Sequence, residues 1–345
     1  MKLQDFINAK EIALYIKELP PEDSLDRTLF PSDKQYGMEI ELAKGSKQRP
    51  VVLKQSTFDV AVRPRVLSAS IDIEKREMPF FKESILVREA DRQKLMLAMA
   101  ANQENIVNQI LGHVYNNYKN LVDGAEVQMK RMRASLIQNG TINIASDSGD
   151  IIVDYNIPVN HKETISTASK KWNVATADIT GDIVRWQKVF TNEGYAKPTL
   201  LIMTDTLFGY VCLNTAIIND IKGLNTNYAV TQADVKNHIL QKYGVSIAIV
   251  NGVFVNEVGS TVPYYEDNKV TFIPAGALGK TVYGTTPEEA DSIFGSNKLD
   301  TQIVNGGVAI TTMAKEDPVT VETKVSQLGM PSFEKADECF FATVY

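Results

Sequence analysis

The chain is poor in the residues that most catalytic chemistry needs. It holds three histidines (His113, His161 and His238), far apart in sequence, and two cysteines, Cys212 and Cys339. Two thiols cannot build a disulfide framework or, by themselves, a zinc cage. Three scattered imidazoles leave little for acid–base or metal chemistry, and no cofactor is expected. No window nears the ~18 uninterrupted apolar residues of a membrane-spanning helix. The start, Met1-Lys2-Leu3-Gln4-Asp5-Phe6, is too polar to open a secretory signal peptide. These absences predict a soluble protein of a reducing compartment. A net charge of −6 argues against a general nucleic-acid binder, because an acidic surface repels phosphate. What is present is ordinary for a folded protein: 44% apolar and 23% charged residues, which excludes disordered and fibrous classes. At 345 residues, against roughly 150 per domain, the chain has room for two domains or one elaborated domain.

Motifs that suggest chemistry fail on inspection. Gly276-Ala277-Leu278-Gly279-Lys280-Thr281 looks like the end of a phosphate-binding loop, but Pro274 stands where the first glycine is required. The continuation Val282-Tyr283-Gly284-Thr285-Thr286-Pro287 does not open the helix whose N-terminus would bind phosphate. There is no dinucleotide fingerprint, zincin helix or nucleophile elbow. The acidic pairs Asp147/Asp150, Glu266/Asp267 and Glu288/Glu289 sit in turns or at helix starts and read as solvated caps. His113 reads as a packing or surface residue, and Cys339 beside Phe340 reads as core.

Patterning is more informative. Residues 6–19 read as a short amphipathic helix stopped by Pro20-Pro21, followed by an extended stretch to Pro31. From Glu39 to Glu77 the pattern turns to strands; Phe58, Val60 and Val62 alternate with Asp59, Ala61 and Arg63. Pro50 and Pro64 mark this as an exposed, edge-like hairpin. Within it Lys44, Lys47, Arg49, Lys54, Arg63 and Arg65 face Asp59 alone, a local charge of +5. Such a segment suits either a solvated hairpin or a docking element for an acidic partner.

No proline interrupts residues 80–157. From Val107 an apolar stripe runs through Ile110, Val114, Tyr118, Leu121, Ala125, Met129, Met132 and Leu136. Its mean spacing is the ~3.6 residues of a straight helix rather than the 3.5 of a coiled coil. With Asp91 as its cap and Asn139-Gly140 as its stop, this helix is expected to span nearly fifty residues, about 70 Å. Lys130, Arg131 and Arg133 near its end suit the negative helix terminus or an interface. Beyond it lie a hairpin at 141–157, a helix at 177–193, a buried strand at Leu200–Met203 and a short helix after Asp205. A capping-box helix starts at Thr231, a two-residue hairpin turn is read at Asn251-Gly252, and strands follow at 308–311, 319–325 and 339–344.

Several stretches in this order resemble the major capsid proteins of tailed phages, in the lambda-type (major capsid protein E) branch of the Hong Kong 97 capsid fold. They are Glu126 to Ile142, Pro198–Asn214, Tyr243–Ala248 with Asn251 to Val255, Thr271–Gly276, Tyr283–Glu288, and Asp317-Pro318 running to the final strand. The resemblance implies an α+β chain with four parts. Residues 1–38 would be an N-terminal arm and 39–78 an extended loop. Residues 79–140 with 308–345 would form a peripheral domain with a long spine helix, and 141–307 an axial α/β domain. It also implies a non-enzymatic role: self-assembly into pentamers and hexamers of an icosahedral shell around double-stranded DNA. Assembly is expected in the host cytoplasm, and the product is the virion. Expected partners are further copies of itself, a separate scaffold protein, a portal and a cementing protein, with no membrane and no sequence-specific DNA contact. The six basic residues at 44–65, with Lys130, Arg131 and Arg133, are the candidate inter-subunit contacts. The rival classes are an encapsulin-like shell of the same fold and an α/β enzyme, and the latter lacks any convergent acid, base or cofactor loop.

Overall fold

In a computed structural model, residues 8–18, 24–44, 72–87, 89–101, 104–144, 149–224, 227–295, 299–315 and 320–345 are described. The chain begins with α1 (Ala9–Lys17), whose cap Asn8 accepts the Glu11 N–H, then α2 (Leu25–Leu29) and β1 (Ser32–Lys34). Next come β2 (Glu39–Lys44), β3 (Asp72–Glu77), β4 (Phe80–Val87), α3 (Glu89–Ala100) and α4 (Glu104–Asn139). A middle section holds β5 (Thr141–Ile144), β6 (Ile151–Asp154), β7 (Lys162–Thr164), α5 (Ile179–Glu193), β8 (Leu200–Met203), α6 (Asp205–Cys212), α7 (Thr215–Lys222) and α8 (Gln232–Tyr243). It continues through β9 (Ser246–Ile249), β10 (Val253–Val255), β11 (Thr261–Pro263), β12 (Lys269–Ile273), β13 (Lys280–Tyr283) and α9 (Pro287–Phe294). The last strands are β14 (Asp300–Val304), β15 (Val308–Lys315), β16 (Thr320–Ser332) and β17 (Phe340–Thr343).

Two sheets organise these elements. The larger runs β1-β13-β16-β15-β14, and β4 also pairs with β16. The 13-residue β16 is its axis, with β15 followed by β13 along one side and β4 along the other. The smaller sheet runs β7-β17-β12-β8-β9. Three two-stranded ribbons, β2–β3, β5–β6 and β10–β11, stand apart from both.

The apolar stripe read from the sequence is the packed face of α4: Tyr118, Leu121, Met129, Met132 and Leu136 are buried, and Val107, Ile110, Val114 and Ala125 are half-buried. Its lower half joins a core with Phe30, Tyr283 and Phe333. Its middle packs with Ile12 and Ile16 of α1 against Val308, Ile310, Val321 and Val325 of the larger sheet. A separate core, rich in Trp172, Trp186, Phe190, Phe208, Phe272 and Phe340, fills the smaller sheet's unit. Gly140 ends α4 at φ +68°, returning its N–H to the Leu136 carbonyl, and an added Cβ would strike Ile157. Only glycine meets both demands at low cost.

Several expectations need correction. The helix is not continuous from Asp91: α3 and α4 are separate, and Asp91 lies inside α3. At 36 residues α4 is about 54 Å long. The extended stretch before Pro31 contains α2. Asn251-Gly252 does not join β9 and β10 in a hairpin; β9 lies parallel beside β8, while β10 pairs with β11. The Asn251 side chain instead accepts the Asp205 N–H at 3.1 Å, and Gly252 at φ +133° directs the chain away from the sheet. The strands also cross the segment boundaries drawn from the sequence. β13 and β14 belong to the larger sheet, and β17 sits inside the smaller one.

Candidate functional site

Among the described residues no group of histidine, cysteine and carboxylate side chains is arranged to hold a metal ion, and no helix is long and apolar enough to cross a membrane. His113 is exposed. His161 is buried against Phe190 and meets Glu193 at 3.0 Å, and His238 lies 3.6 Å from Asp220. These imidazoles share no cleft with a nucleophile. Cys339 is fully buried, and burial pushes its thiol well above the ordinary range.

The polar chemistry of this chain joins elements to one another. Arg133, on the packed face of α4, is only 1% exposed. Its Nε donates to Asp26 of α2 at 2.7 Å, and its terminal nitrogen pairs with Glu126 one helix stretch earlier. Glu126 also takes Arg27 at 3.0 Å, so two arginines and two carboxylates bind α2 to α4. Burial alone would lower the Arg133 pKa, but Glu126 and Asp26 outweigh it and the pKa is raised. Thr281 of β13 donates to the Phe30 carbonyl beside this cluster. Arg133 is therefore committed to partners in its own chain and is not an exposed contact for a neighbour. Arg131 donates to Glu257 at 2.7 Å and lies over the Phe254 ring, while the Lys130 ammonium sits 4.9 Å from the Tyr264 ring centroid. None of the three falls in the last turn of α4, where the helix dipole acts.

The Glu288/Glu289 pair is not solvated as expected. Both residues are buried in the first turn of α9, which Thr286 caps. Glu288 pairs with Lys324 and accepts from Ser326 of β16, and Glu289 takes Lys34, the last residue of β1, at 2.6 Å. Burial would raise the Glu288 pKa, but the bonds from Lys324 and Ser326 hold it below the usual carboxylate range. Sequence reading missed both roles because each partner lies tens to hundreds of residues away.

The remaining surface feature is a groove of about 1550 Å³. Its walls are the β3–β4 junction, the outer face of α4 near Asp123 to Arg131, the β5–β6 ribbon and the chain just after β10. Apolar side chains open into it, including Phe80 and Ile152, which are exposed. Of the expected contact residues, Lys44 ends β2 opposite Asp72, at the end of that ribbon away from Arg76 and Glu77, which line the groove. Lys47, Arg49, Lys54, Arg63 and Arg65 lie outside the described residues. Five carboxylates and three basic side chains interleave with the apolar residues, so the groove is a broad amphipathic surface.

Comparisons with known proteins agree with this. No curated protein sequence matches the chain. The structure is similar to that of a putative capsid protein of a prophage from Escherichia coli CFT073, with a TM-score of 0.61 and 10% identity over 98% of this chain and 99% of that one. It is also similar to a phage-related protein from Bordetella bronchiseptica RB50, with a TM-score of 0.52 and 9% identity over 97% of both chains. The architecture is that of the Hong Kong 97 capsid fold. The family model for phage major capsid protein E matches residues 8–344. With a match over nearly every residue, the chain belongs to the phage major capsid protein E family.

Proposed function

We propose that copies of this chain assemble into pentamers and hexamers that close as an icosahedral head around double-stranded DNA, in the cytoplasm of the host. The observation that carries this reading is the match of the capsid family over residues 8–344. An acidic shell, at −6 per copy, fits a container that must release its DNA, because a wall that bound phosphate tightly would oppose ejection. In this reading residues 1–38 are the arm and 39–78 the extended loop. The larger sheet with α4 is the peripheral part, and the smaller sheet with α5–α8 is the axial part. The basic 44–65 segment docks on an acidic surface of the next subunit. A separate scaffold guides assembly, a portal occupies one vertex, and a cementing protein covers the outside.

Each exposed ion pair contributes only about 0–1 kcal/mol, so the stability of the shell comes from many repeated contacts. Negative-stain microscopy with analytical ultracentrifugation of the purified protein, alone and with any encoded scaffold, tests the reading. Closed shells or five- and six-fold rings are expected. A stable monomer or dimer under both conditions would contradict it.

A further inference from the structure

The chain holds three Asn-Gly pairs: Asn139-Gly140, Asn251-Gly252 and Asn305-Gly306. In such a pair the backbone nitrogen that follows the asparagine can attack the side-chain carboxamide. Proximity favours this intramolecular reaction, and glycine leaves the nitrogen unshielded. The fold treats the three pairs differently. Gly140 is buried with its N–H bonded to the Leu136 carbonyl at 2.9 Å, and the Asn139 carboxamide accepts Lys269 at 3.2 Å. The Asn251 carboxamide accepts the N–H of Asp205, the first residue of α6, at 3.1 Å. Asn305-Gly306 has neither restraint. It is the tip of the turn between β14 and β15, closed by the Gly307 N–H on the Val304 carbonyl at 3.2 Å. Both residues are exposed, and among the described residues nothing hydrogen-bonds the Asn305 carboxamide or the Gly306 N–H. Asn305 sits in the left-handed region at φ +49°, and the space around Gly306 is open. Asn156 shares that φ, but the β-branched Ile157 follows it and shields the nitrogen.

We propose that Asn305 is a site of spontaneous modification, converted to aspartate and isoaspartate in the folded protein while Asn139 and Asn251 persist. The Gly306 nitrogen bonds to the side-chain carbonyl carbon of Asn305 and gives up its proton. The carbon–nitrogen bond of the carboxamide breaks, and its nitrogen leaves with that proton as ammonia. Water then opens the cyclic imide at either carbonyl and returns a proton to the Gly306 nitrogen. The sum is asparagine and water giving ammonia and aspartate or its isomer, with no oxidation or reduction. The isomer lengthens the backbone by one carbon at the tip of a tight turn. Gly307 cannot absorb that change freely, because it is pressed so close to the Tyr283 ring that an added Cβ would strike it. The displacement falls on β14, whose first residue Asp300 accepts the Ala9 N–H of α1 at 2.8 Å. Either product also adds a negative charge to an already acidic chain. The proposal concerns the single chain and stands independently of the shell reading.

The test ages the full chain in warm, mildly alkaline buffer, once native and once in urea. Peptide mass spectrometry reads the conversion at each pair, and an isoaspartyl methyltransferase with a labelled methyl donor reads the isomer. In urea the three pairs are expected to convert at similar rates, since only their local sequences then differ. In the native chain Asn305 is expected to convert at least about tenfold faster than Asn251 or Asn139, whose reaction waits on local opening. Asn305→Gly removes the carboxamide and keeps a residue suited to positive φ. It is expected to melt as wild type and to lose most of the methyl label that the aged native chain acquires. Native conversion at Asn305 no faster than at the other two pairs would overturn the proposal, and this readout needs no variant. A variant that ages to the label of wild type would overturn it as well.

Discussion

The two sheets of this molecule are stabilised in different ways. In the smaller one, Trp172, Trp186 and Phe340 stack at centroid distances of 5.5 and 5.1 Å. Both indoles find carboxylate partners, Trp172 on Asp182 at 3.0 Å and Trp186 on Glu163 at 2.6 Å, and Arg185 joins the two carboxylates. Helices α5, α6, α7 and α8 each carry a side-chain cap from Asp178, Thr204, Asn214 and Thr231. Its edge strands, β7 and β9, are only three and four residues long. The larger sheet buries charge where the smaller buries rings, relying on Arg133–Asp26 and Glu288–Lys324, and leaves the eight-residue β4 open. In one unit the indole and carboxylate contacts join residues within a few dozen positions, although its ring stack closes on the distant Phe340. The other is held by long-range charge pairs, and among the described residues no strand covers the outer side of β4.

The hardest test of this contrast is removal of residues 340–345. Because β17 lies between β7 and β12, the deletion is expected to abolish the near-ultraviolet circular dichroism of the Trp172–Trp186 stack. Retention of that signal would mean the smaller unit does not depend on β17. Next in size, Arg133→Met leaves Asp26 buried without its cation and is expected to cost about 3–5 kcal/mol by urea denaturation. Adding Asp26→Leu should return much of that loss, since an apolar pair of similar volume is often neutral in place of a buried ion pair. A cost under about 1 kcal/mol for the single variant would erase the distinction between charge-held and ring-held cores.

Glu288→Gln is expected to cost about 1.5–3 kcal/mol at neutral pH, the range for hydrogen bonds to charged groups. The carboxyl is held below its ordinary value in the fold, so its contribution is full above the unfolded value of about 4.3 and is lost as pH falls through the lower folded value. The wild type should therefore lose more stability than the variant between roughly pH 5 and pH 3, and parallel pH profiles would show that this pair carries no linkage. The smallest effect is chemical. Cys339 is fully buried and Cys212 half-buried, both with raised thiols. A maleimide should modify Cys212 slowly and Cys339 only after unfolding, and rapid labelling of Cys339 would show that the junction between the sheets opens readily.

What the sequence made legible was local. The stripe of α4, its Asn139-Gly140 stop, the strand Leu200–Met203 and the reciprocal Thr231–Asp234 cap are all found where the pattern placed them. Each of these is decided by residues within a few turns of one another. Arg133 was misread because its partner Asp26 is 107 positions away, and nothing in the helix pattern separates a buried arginine from a solvated one. Glu288 and Glu289 carry the signature of a helix start, which is correct for their backbone, yet their burial is decided by Lys324 and Lys34. The Asn251-Gly252 signal was outweighed because β9 gains a parallel partner in β8. The open edge of β4 was invisible for the same reason: a strand's pairing cannot be read from its own residues.

The register of the two sheets also constrains when this protein can exist at all. β1 pairs with β13 some 249 positions later, β4 pairs with β16, and both β7 and β12 wait for β17. Folds dominated by such distant pairings are slow to form, because loop closure must precede its reward. Neither sheet can close until residues 320–343 have been synthesised. While a chain is still growing on the ribosome, β4 has no β16 to pair with. Translation itself thus separates folding from polymerisation, and only a finished chain can join a growing shell.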